Sequence, residues 1–277
     1  MARRNWNRIF VTGGTSFVGL RVIAALVEEG ADITVLVQPD SAEKLGPLRR
    51  HVRLEAGDVW NNASLKGRSR GYGAVIHLVG STHAQPARGL TFQQLNLVPA
   101  RNVIGMAVGD GVPYVVLLSA VSSPSGVSAE YLRSKREAEE YLRNSGLNWA
   151  IVRAPVLFDR RQRGGGFFIL LSRVGALPFL RVFFGRKAPL PVDVASRAIA
   201  RLALEPDFPR NQLLYAGNLR RLGRAKRNRQ HQPKTTRSRR QRSAAASLED
   251  DNVPFGWLPG KLPDNPGNHP GDDRRRR

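Results

Sequence analysis

The feature that most constrains this chain is a glycine-rich octet standing between two different hydrophobic periods. Ile9-Phe10-Val11 is a short continuous apolar run, and Thr12-Gly13-Gly14-Thr15-Ser16-Phe17-Val18-Gly19 follows it directly. From Val18 to Glu29 the apolar residues Val22, Ile23, Leu26 and Val27 recur at helical spacing, with Gly30 as the stop. The same alternation continues downstream. Strand candidates are Ile33–Val37, Val52–Ala56, Ala74–Leu78, Tyr114–Leu118 and Trp149–Val152, with helical patterns over Phe92–Val108 and Tyr131–Asn144. Strands that alternate with helices require right-handed crossovers and a parallel sheet buried on both faces. The sequence predicts an α/β fold built on a doubly wound parallel sheet.

Beyond Pro155 the pattern loosens into what reads as a small substrate-side lobe. Gly164-Gly165-Gly166 predicts a turn, Phe167–Gly175 a helix, and Val192–Leu204 a clearer helix with Ala195, Ile199, Leu202 and Ala203 inward; a strand at Leu214–Gly217 closes the unit. Residues 218–277 are different material. Lys226–Arg242 contains no apolar residue, and Pro254–Pro270 is rich in Pro, Gly, Asn and Asp. Such a stretch cannot bury enough surface to offset its ordering entropy. The expected organisation is a folded unit over residues 1–217 and a basic, disordered tail over 218–277.

Composition narrows the chemistry. Cysteine is absent, which excludes disulfide scaffolds, thiolate zinc sites and cysteine nucleophiles. The five histidines form no HxxxH pair, so no histidine-built metal site is expected. The net charge is +22, and the tail carries 16 basic against 6 acidic residues. Binding of nucleic acid or an anionic membrane surface by counterion release would follow from such an arm. The only aromatics there, Phe255 and Trp257, do not interleave with the basic run to give stacking platforms, and a charge block usually acts as a solvated arm; an altered reading frame would also produce this composition. Met1–Asn7 holds no long apolar run, and Phe167–Phe184 is broken by Arg173, Pro178 and Arg181. That falls short of the roughly 20 apolar residues of a membrane span, so no transmembrane segment and a cytoplasmic location are expected.

The octet is placed to hold a diphosphate. Gly13 permits the tight turn, the amides of Thr15, Ser16, Phe17 and Val18 lie at a helix N-terminus, and Gly19 allows close helix–strand approach. An ordinary strand–helix turn is the plain alternative. The TGxxGxxG pattern resembles the short-chain dehydrogenase/reductase superfamily, in particular its extended and atypical branches, and that resemblance implies a Rossmann-like fold with NAD or NADP as cofactor. Ser16 stands where the middle glycine is usual, so its Cβ would crowd the diphosphate side, while its hydroxyl could donate to phosphate. Gln38 takes the place at the end of the second strand where an acid would favour NAD. The resemblance also assigns cofactor contacts to Asp58, Val59, Gly80 and Pro155 and a helix asparagine to Asn96; read alone, Asp58 is a turn residue and Asn96 a solvated helix position.

The second signal is Tyr131-Leu132-Arg133-Ser134-Lys135. Residues i and i+4 share a helix face, so an ammonium can approach a phenol whose ordinary pKa is about 10 and lower it. A surface tyrosine lying on a lysine stem is the plain alternative. Placed after the fifth strand, the pair resembles the superfamily's YxxxK, which implies that Tyr131 moves the substrate proton and Lys135 both tunes it and holds the nicotinamide ribose. The family's third group is a hydroxyl beyond the fifth strand. Here Ala120 occupies the usual position, leaving Ser119 or Ser122 to hydrogen-bond the substrate oxygen. Arg153-Ala154-Pro155 resembles the segment that meets the carboxamide. The branch nearest in texture is that of the NAD(P)-binding accessory subunit of respiratory complex I, through Tyr131–Leu142 and Pro191–Ala195. The resemblance implies an oxidoreductase or a sugar-nucleotide epimerase/dehydratase acting on a ketone or nucleotide sugar, with a homodimer possible. A non-catalytic nucleotide-binding protein for assembly or redox sensing and an arginine-rich nucleic-acid binder stand as alternatives.

Overall fold

The computed structural model describes residues 6–124, 126–159, 187–205 and 210–225. Seven strands form one sheet: β1 (Arg8–Thr12), β2 (Asp32–Val37), β3 (Arg53–Ala56), β4 (Ala74–His77), β5 (Tyr114–Ala120), β6 (Asn148–Ala154) and β9 (Gln212–Leu214), in the order β3-β2-β1-β4-β5-β6-β9. Every pairing in it is parallel. The order turns back between β1 and β4, which is the switch point where open α/β sheets bind ligands at the carboxyl ends of their strands. Two short strands, β7 (Leu157–Phe158) and β8 (Leu190–Pro191), pair separately.

Among the described residues five α-helices cover the sheet: α1 (Phe17–Glu28), α2 (Val98–Gly109), α3 (Ala129–Arg143), α4 (Val192–Leu204) and α5 (Ala216–Arg224). Alternation along β1 explains the layers. Ile9 and Val11 join the core under α1 and α4, while Phe10 joins the opposite core under α2 and α3. Both layers being covered, Ile9, Phe10 and Val11 are all 0% exposed. That is why the strand reads as an uninterrupted apolar run.

The elements expected among the described residues are present, with shifted ends; the strand expected at Leu214–Gly217 is Gln212–Leu214, and Ala216 and Gly217 already belong to a helix. β5 and β6 each run two residues past the apolar stretch, because the ladder continues through Ser119 opposite Arg153 and Ala120 opposite Ala154. Main-chain hydrogen bonding does not depend on hydropathy. The helix expected from Phe92 opens as a wide turn over Gln93–Leu97 before α2, with Pro99 in the first turn, where its missing N–H costs little.

One expectation is corrected. Order does not stop at residue 217: α5 extends through Arg224, inside the stretch read as tail. Its sequence is arginine-rich, yet Leu219 is fully buried and Gly223 packs against the Val194 backbone so closely that a Cβ would overlap the carbonyl. Arginines from α4 satisfy its last carbonyls, Arg197 binding Gly223 O at 3.1 Å and Arg201 binding the oxygens of Leu222 and Ala225. The Gly164–Gly166 turn, the Phe167–Gly175 helix and the tail from Lys226 onward lie outside the described residues.

Candidate nucleotide cradle and tyrosine–lysine site

The octet folds as the sequence demands. Gly13 has φ +78°, and a Cβ there would stand 2.9 Å from the backbone of Leu78 and Val79 at the end of β4. A Cβ on Gly14 would come within 2.6 Å of Val35, and one on Gly19 would overlap the Gly13 carbonyl oxygen and stand 2.7 Å from Gly14 C. The three glycines lock β1, β4 and α1 against one another. Ser16 is the N-cap of α1: its hydroxyl donates to Gly13 O at 2.8 Å and accepts from Gly19 N at 3.0 Å. The hydroxyl is thus spent inside the turn rather than offered to phosphate, and serine closes the cap that a glycine would leave open. The amides of Phe17 and Val18 make no hydrogen bond among the described residues. Two outward N–H groups at a helix N-terminus, on a turn with no room for side chains, fit a dinucleotide diphosphate.

Around this turn the other expected cofactor residues divide. Thr15 is buried, Gln38 caps the helical turn after β2 through its backbone alone, and Pro155 is buried between β6 and β7. The Asp58 carboxylate accepts from Trp60 N at 3.0 Å, holding its own turn, while Val59 is 1% exposed in the core. Gly80 lies at the β4 end, where a Cβ would overlap Lys135 Nζ and stand 2.6 Å from Asn96 Oδ1. Asn96 is no solvated helix residue: at 1% exposure it accepts from Ser81 N at 2.9 Å and donates to Ser81 O at 3.1 Å, clamping the loop after β4.

Tyr131 and Lys135 are both buried, on the inward face of α3. Lys135 Nζ donates to Val79 O at 3.3 Å, so the ammonium sits beside the cradle at the end of β4. Burial pushes its pKa down to about 8, with Glu139 acting in the opposite sense. The phenol behaves otherwise than expected. Burial drives Tyr131 up to about 12, and the cation that offsets this in part is Arg136. Desolvation disfavours phenolate more than one guanidinium favours it, so Tyr131 is protonated near neutral pH. Its ring meets Phe92 edge-on at 5.9 Å, and Ala120 completes the cluster.

The Ser119 hydroxyl is engaged by Glu139. Ser119 lies on the face of β5 that continues from Val115 and Leu117, and its hydroxyl donates to Glu139 Oε1 at 2.6 Å. Ser122 is half-buried in the loop beyond β5. Glu139, passed over in the sequence, is 0% exposed and pairs with Arg136, with Arg143 at 3.1 Å and with Arg153 at 2.6 Å. Arg153 reaches on to Tyr215 Oη at 3.0 Å, and Arg136 holds Ala120 O at 2.8 Å. This network fixes α3 to the ends of β5 and β6. Its only trace in the sequence is a Glu on the apolar face of α3, four residues beyond Lys135. Buried Asp159 pairs with Arg21 and ties the chain after β7 to α1.

The chain that carries this turn and helix matches a known family. Residues 13–172 fit the model of the NAD(P)H-binding family, which is more than half of the chain. The chain belongs to that family. As an NAD(P)H-binding protein it bears out the expected fold and cofactor class. It is 28% identical over 175 residues to the ceramide reductase of Caulobacter vibrioides, a match covering 62% of this chain and 53% of that protein. The chain therefore spans about half the length of this curated relative. Among solved structures it is similar to the Bordetella bronchiseptica enzyme WbmG in complex with NAD, at 18% identity and TM-score 0.55, covering 76% of this chain and 73% of that one. It is similar too to the dTDP-glucose 4,6-dehydratase DesIV of Streptomyces venezuelae with NAD bound, at 22% identity and TM-score 0.52, covering 71% and 72%. A third is the UDP-glucose 4-epimerase of Thermotoga maritima, at 18% identity and TM-score 0.54, covering 74% and 75%. The fold is that of NAD-dependent epimerase/dehydratase-type enzymes. Among the described residues no helix is long and apolar enough to cross a membrane.

Proposed function

We propose that this protein is an NAD(P)H-dependent carbonyl reductase in which Tyr131 is the proton donor. The observation that carries the reading is the buried, protonated phenol of Tyr131 on one helix face with Lys135, whose ammonium is anchored beside the nucleotide cradle. Reduced nicotinamide, when bound at the cradle, would supply a hydride for the carbonyl carbon. Tyr131 gives its phenolic proton to the carbonyl oxygen as the C=O π bond is lost, which yields an alcohol. The phenolate regains a proton from solvent; Arg136 is the cation that favours it meanwhile, and Lys135, on the same helix face with its pKa lowered to about 8 by burial, is the group we assign to relay that proton. Near neutral pH the phenol carries its proton, the state that donation to a carbonyl oxygen requires. The curated relative, named as a reductase, supports the same direction. Ser122 is the hydroxyl left to steady the substrate oxygen, since Ser119 is occupied by Glu139 and Ala120 has none.

The test is NAD(P)H oxidation with a panel of ketones. Tyr131→Phe should lower kcat by about 10²–10⁴-fold, the usual weight of a general acid, and leave the Kd for NAD(P)H within about threefold. Undiminished turnover removes Tyr131 from the chemistry. A second reading, a protein that holds its nucleotide without turnover, is favoured by Ala120 at the position of the expected hydroxyl. It predicts tight NAD(P)H binding with no ketone consumed.

A further inference from the structure

We infer that this protein carries a second binding site, for the phosphate monoester group of a ligand, in a basic groove beside the β3 edge of the sheet and apart from the nucleotide cradle. The site is independent of the reductase reading. Between β3 and β4 the chain makes one helical turn at Asn62–Leu65 and continues as Lys66-Gly67-Arg68-Ser69-Arg70. A cavity of about 630 Å³ lies there, with Arg8, Glu55, Lys66, Arg68, Arg70 and Tyr72 in its wall. Four of those six side chains are cations. The left-handed turn at Gly67 (φ +83°) lets Lys66 and Arg68, on either side of it, line the same cavity. Arg8 opens β1, whereas the cradle follows Thr12 at the other end of that strand. At about 3.3 Å of rise per residue the two lie about 13 Å apart along it.

Like charges converge on one cavity only at a cost, and here each arginine is held in place by an acid. Arg68 Nη1 lies 3.3 Å from Glu55 Oε2, and its Nε donates to Ser64 O. Arg70 Nε lies 3.3 Å from Asp110 Oδ1. Arg8 Nε lies 3.6 Å from Asp32 Oδ2, and its guanidinium sits 4.6 Å from the centroid of the Tyr72 ring. That ring is a fixed shelf, since the Tyr72 hydroxyl donates to Thr34 Oγ1 at 2.8 Å. These contacts use the Nε of each guanidinium and one Nη of Arg68. Both Nη atoms of Arg8 and of Arg70, Nη2 of Arg68 and Nζ of Lys66 have no protein partner among the described residues. Donors oriented in advance, with N–H groups to spare, suit the oxygens of a phosphate and cost little further ordering when it binds. The charge balance agrees. Five cations, Arg8, Arg53, Lys66, Arg68 and Arg70, meet three carboxylates, Asp32, Glu55 and Asp110, which leaves two positive charges. A phosphate monoester carries roughly −1.5 to −2 near pH 7. The lining cations come from one short loop and one strand end, a footprint for a single phosphate group rather than for a polymer backbone.

The experiment is isothermal titration of the full chain with inorganic phosphate and with glycerol 3-phosphate, with and without saturating NADH. Each anion should bind saturably, with the same Kd whether or not nucleotide is present. Lys66→Gln combined with Arg70→Gln should weaken that binding at least about tenfold, since each charge-assisted hydrogen bond lost is worth about a decade. The double variant should keep its Tm and its NADH affinity, because Asp110 retains the hydrogen bonds from Ser69 N and Oγ, both at 2.8 Å. Arg221→Gln, exposed on α5 across the sheet, should leave the phosphate Kd unchanged. Sedimentation with phosphatidylcholine vesicles bearing phosphatidic acid separates the sources of the phosphate. Vesicle retention abolished by the double substitution assigns a lipid headgroup, and binding of glycerol 3-phosphate alone assigns a soluble ester. Equal phosphate binding by the double variant places the anion on the arginine-rich tail, and displacement by NADH places it in the cradle. Either result overturns the site, as does the absence of saturable phosphate binding.

Discussion

Two glycine-to-alanine substitutions, identical in chemistry, should move this protein in opposite directions. At Gly19 a methyl group would overlap the Gly13 carbonyl oxygen and lie 2.7 Å from both Gly14 C and Gly14 Cα. These are backbone atoms in a turn braced on its far side by Leu78, Val79 and Val35, so relief requires the whole octet to move by several tenths of an ångström. Overpacking of that kind costs about 1–3 kcal/mol. The same displacement withdraws the Phe17 and Val18 amides from the diphosphate. At 1.4 kcal/mol per decade, losing one or two charge-assisted hydrogen bonds of about 1.5–3 kcal/mol each weakens nucleotide binding at least tenfold. Gly105 sits on the exposed side of α2, where a Cβ meets nothing within 4 Å. Gly105→Ala should therefore stabilise the helix by about 0.5–1 kcal/mol and leave nucleotide affinity unchanged. Urea unfolding read with isothermal titration of NADH and NADPH checks both. If Gly19→Ala binds either nucleotide as the parent chain does, the octet does not cradle the diphosphate and the cofactor geometry argued above is wrong.

Three other outcomes follow from the buried polar groups. Glu139→Ala strips the carboxylate from Arg136, Arg143, Arg153 and Ser119. Breaking a buried pair costs about 3–5 kcal/mol, and the low end applies because Arg136 and Arg143 keep 30% and 36% of their side chains exposed. At about 2–4 °C per kcal/mol the melting point should fall by at least about 6 °C, and a drop under 2 °C would show the network to be idle. Ser119→Ala should cost about 1 kcal/mol of stability and leave kcat within about twofold, whereas a loss beyond about a hundredfold would make Ser119 the substrate's hydroxyl partner after all. His77, hydrogen-bonded to Thr12 at 2.8 Å and with no partner for its Nε2 among the described residues, is pushed down to about 3 first by burial and then by Lys135. The unfolded chain binds a proton there from about pH 6.5 downward while the folded chain resists until about pH 3. Stability is thus whole above pH 6.5 and is lost as pH falls through that window. His77→Gln should shrink the drop in urea midpoint between pH 7 and pH 5, and an equal drop in both proteins refutes the assignment.

The strands and main helices were legible because burial on two faces imposes continuous apolar runs on β1, β2, β4 and β5, and because α1, α3 and α4 each show an apolar stripe. The Tyr131–Lys135 pair and the octet were legible too, since i+4 spacing and glycine placement are local facts. Residues whose partners are distant in sequence escaped. Asn96 reads as a polar helix position until the loop at Ser81 is laid against it, and α5 reads as tail until the arginines of α4 close over its carbonyls.

From its sequence alone this chain determined an alternating α/β sheet, a turn shaped for a diphosphate and a tyrosine one helical turn from a lysine. Those follow from steric limits and periodicity, which act over a few neighbouring residues. Only the tertiary structure decided that Tyr131 stays protonated, that Ser16 caps rather than donates outward and that Ser119 answers to Glu139. Desolvation and hydrogen-bond partnership depend on what is packed nearby, and here the partner lies 20 residues away for Ser119 and 56 for Lys135.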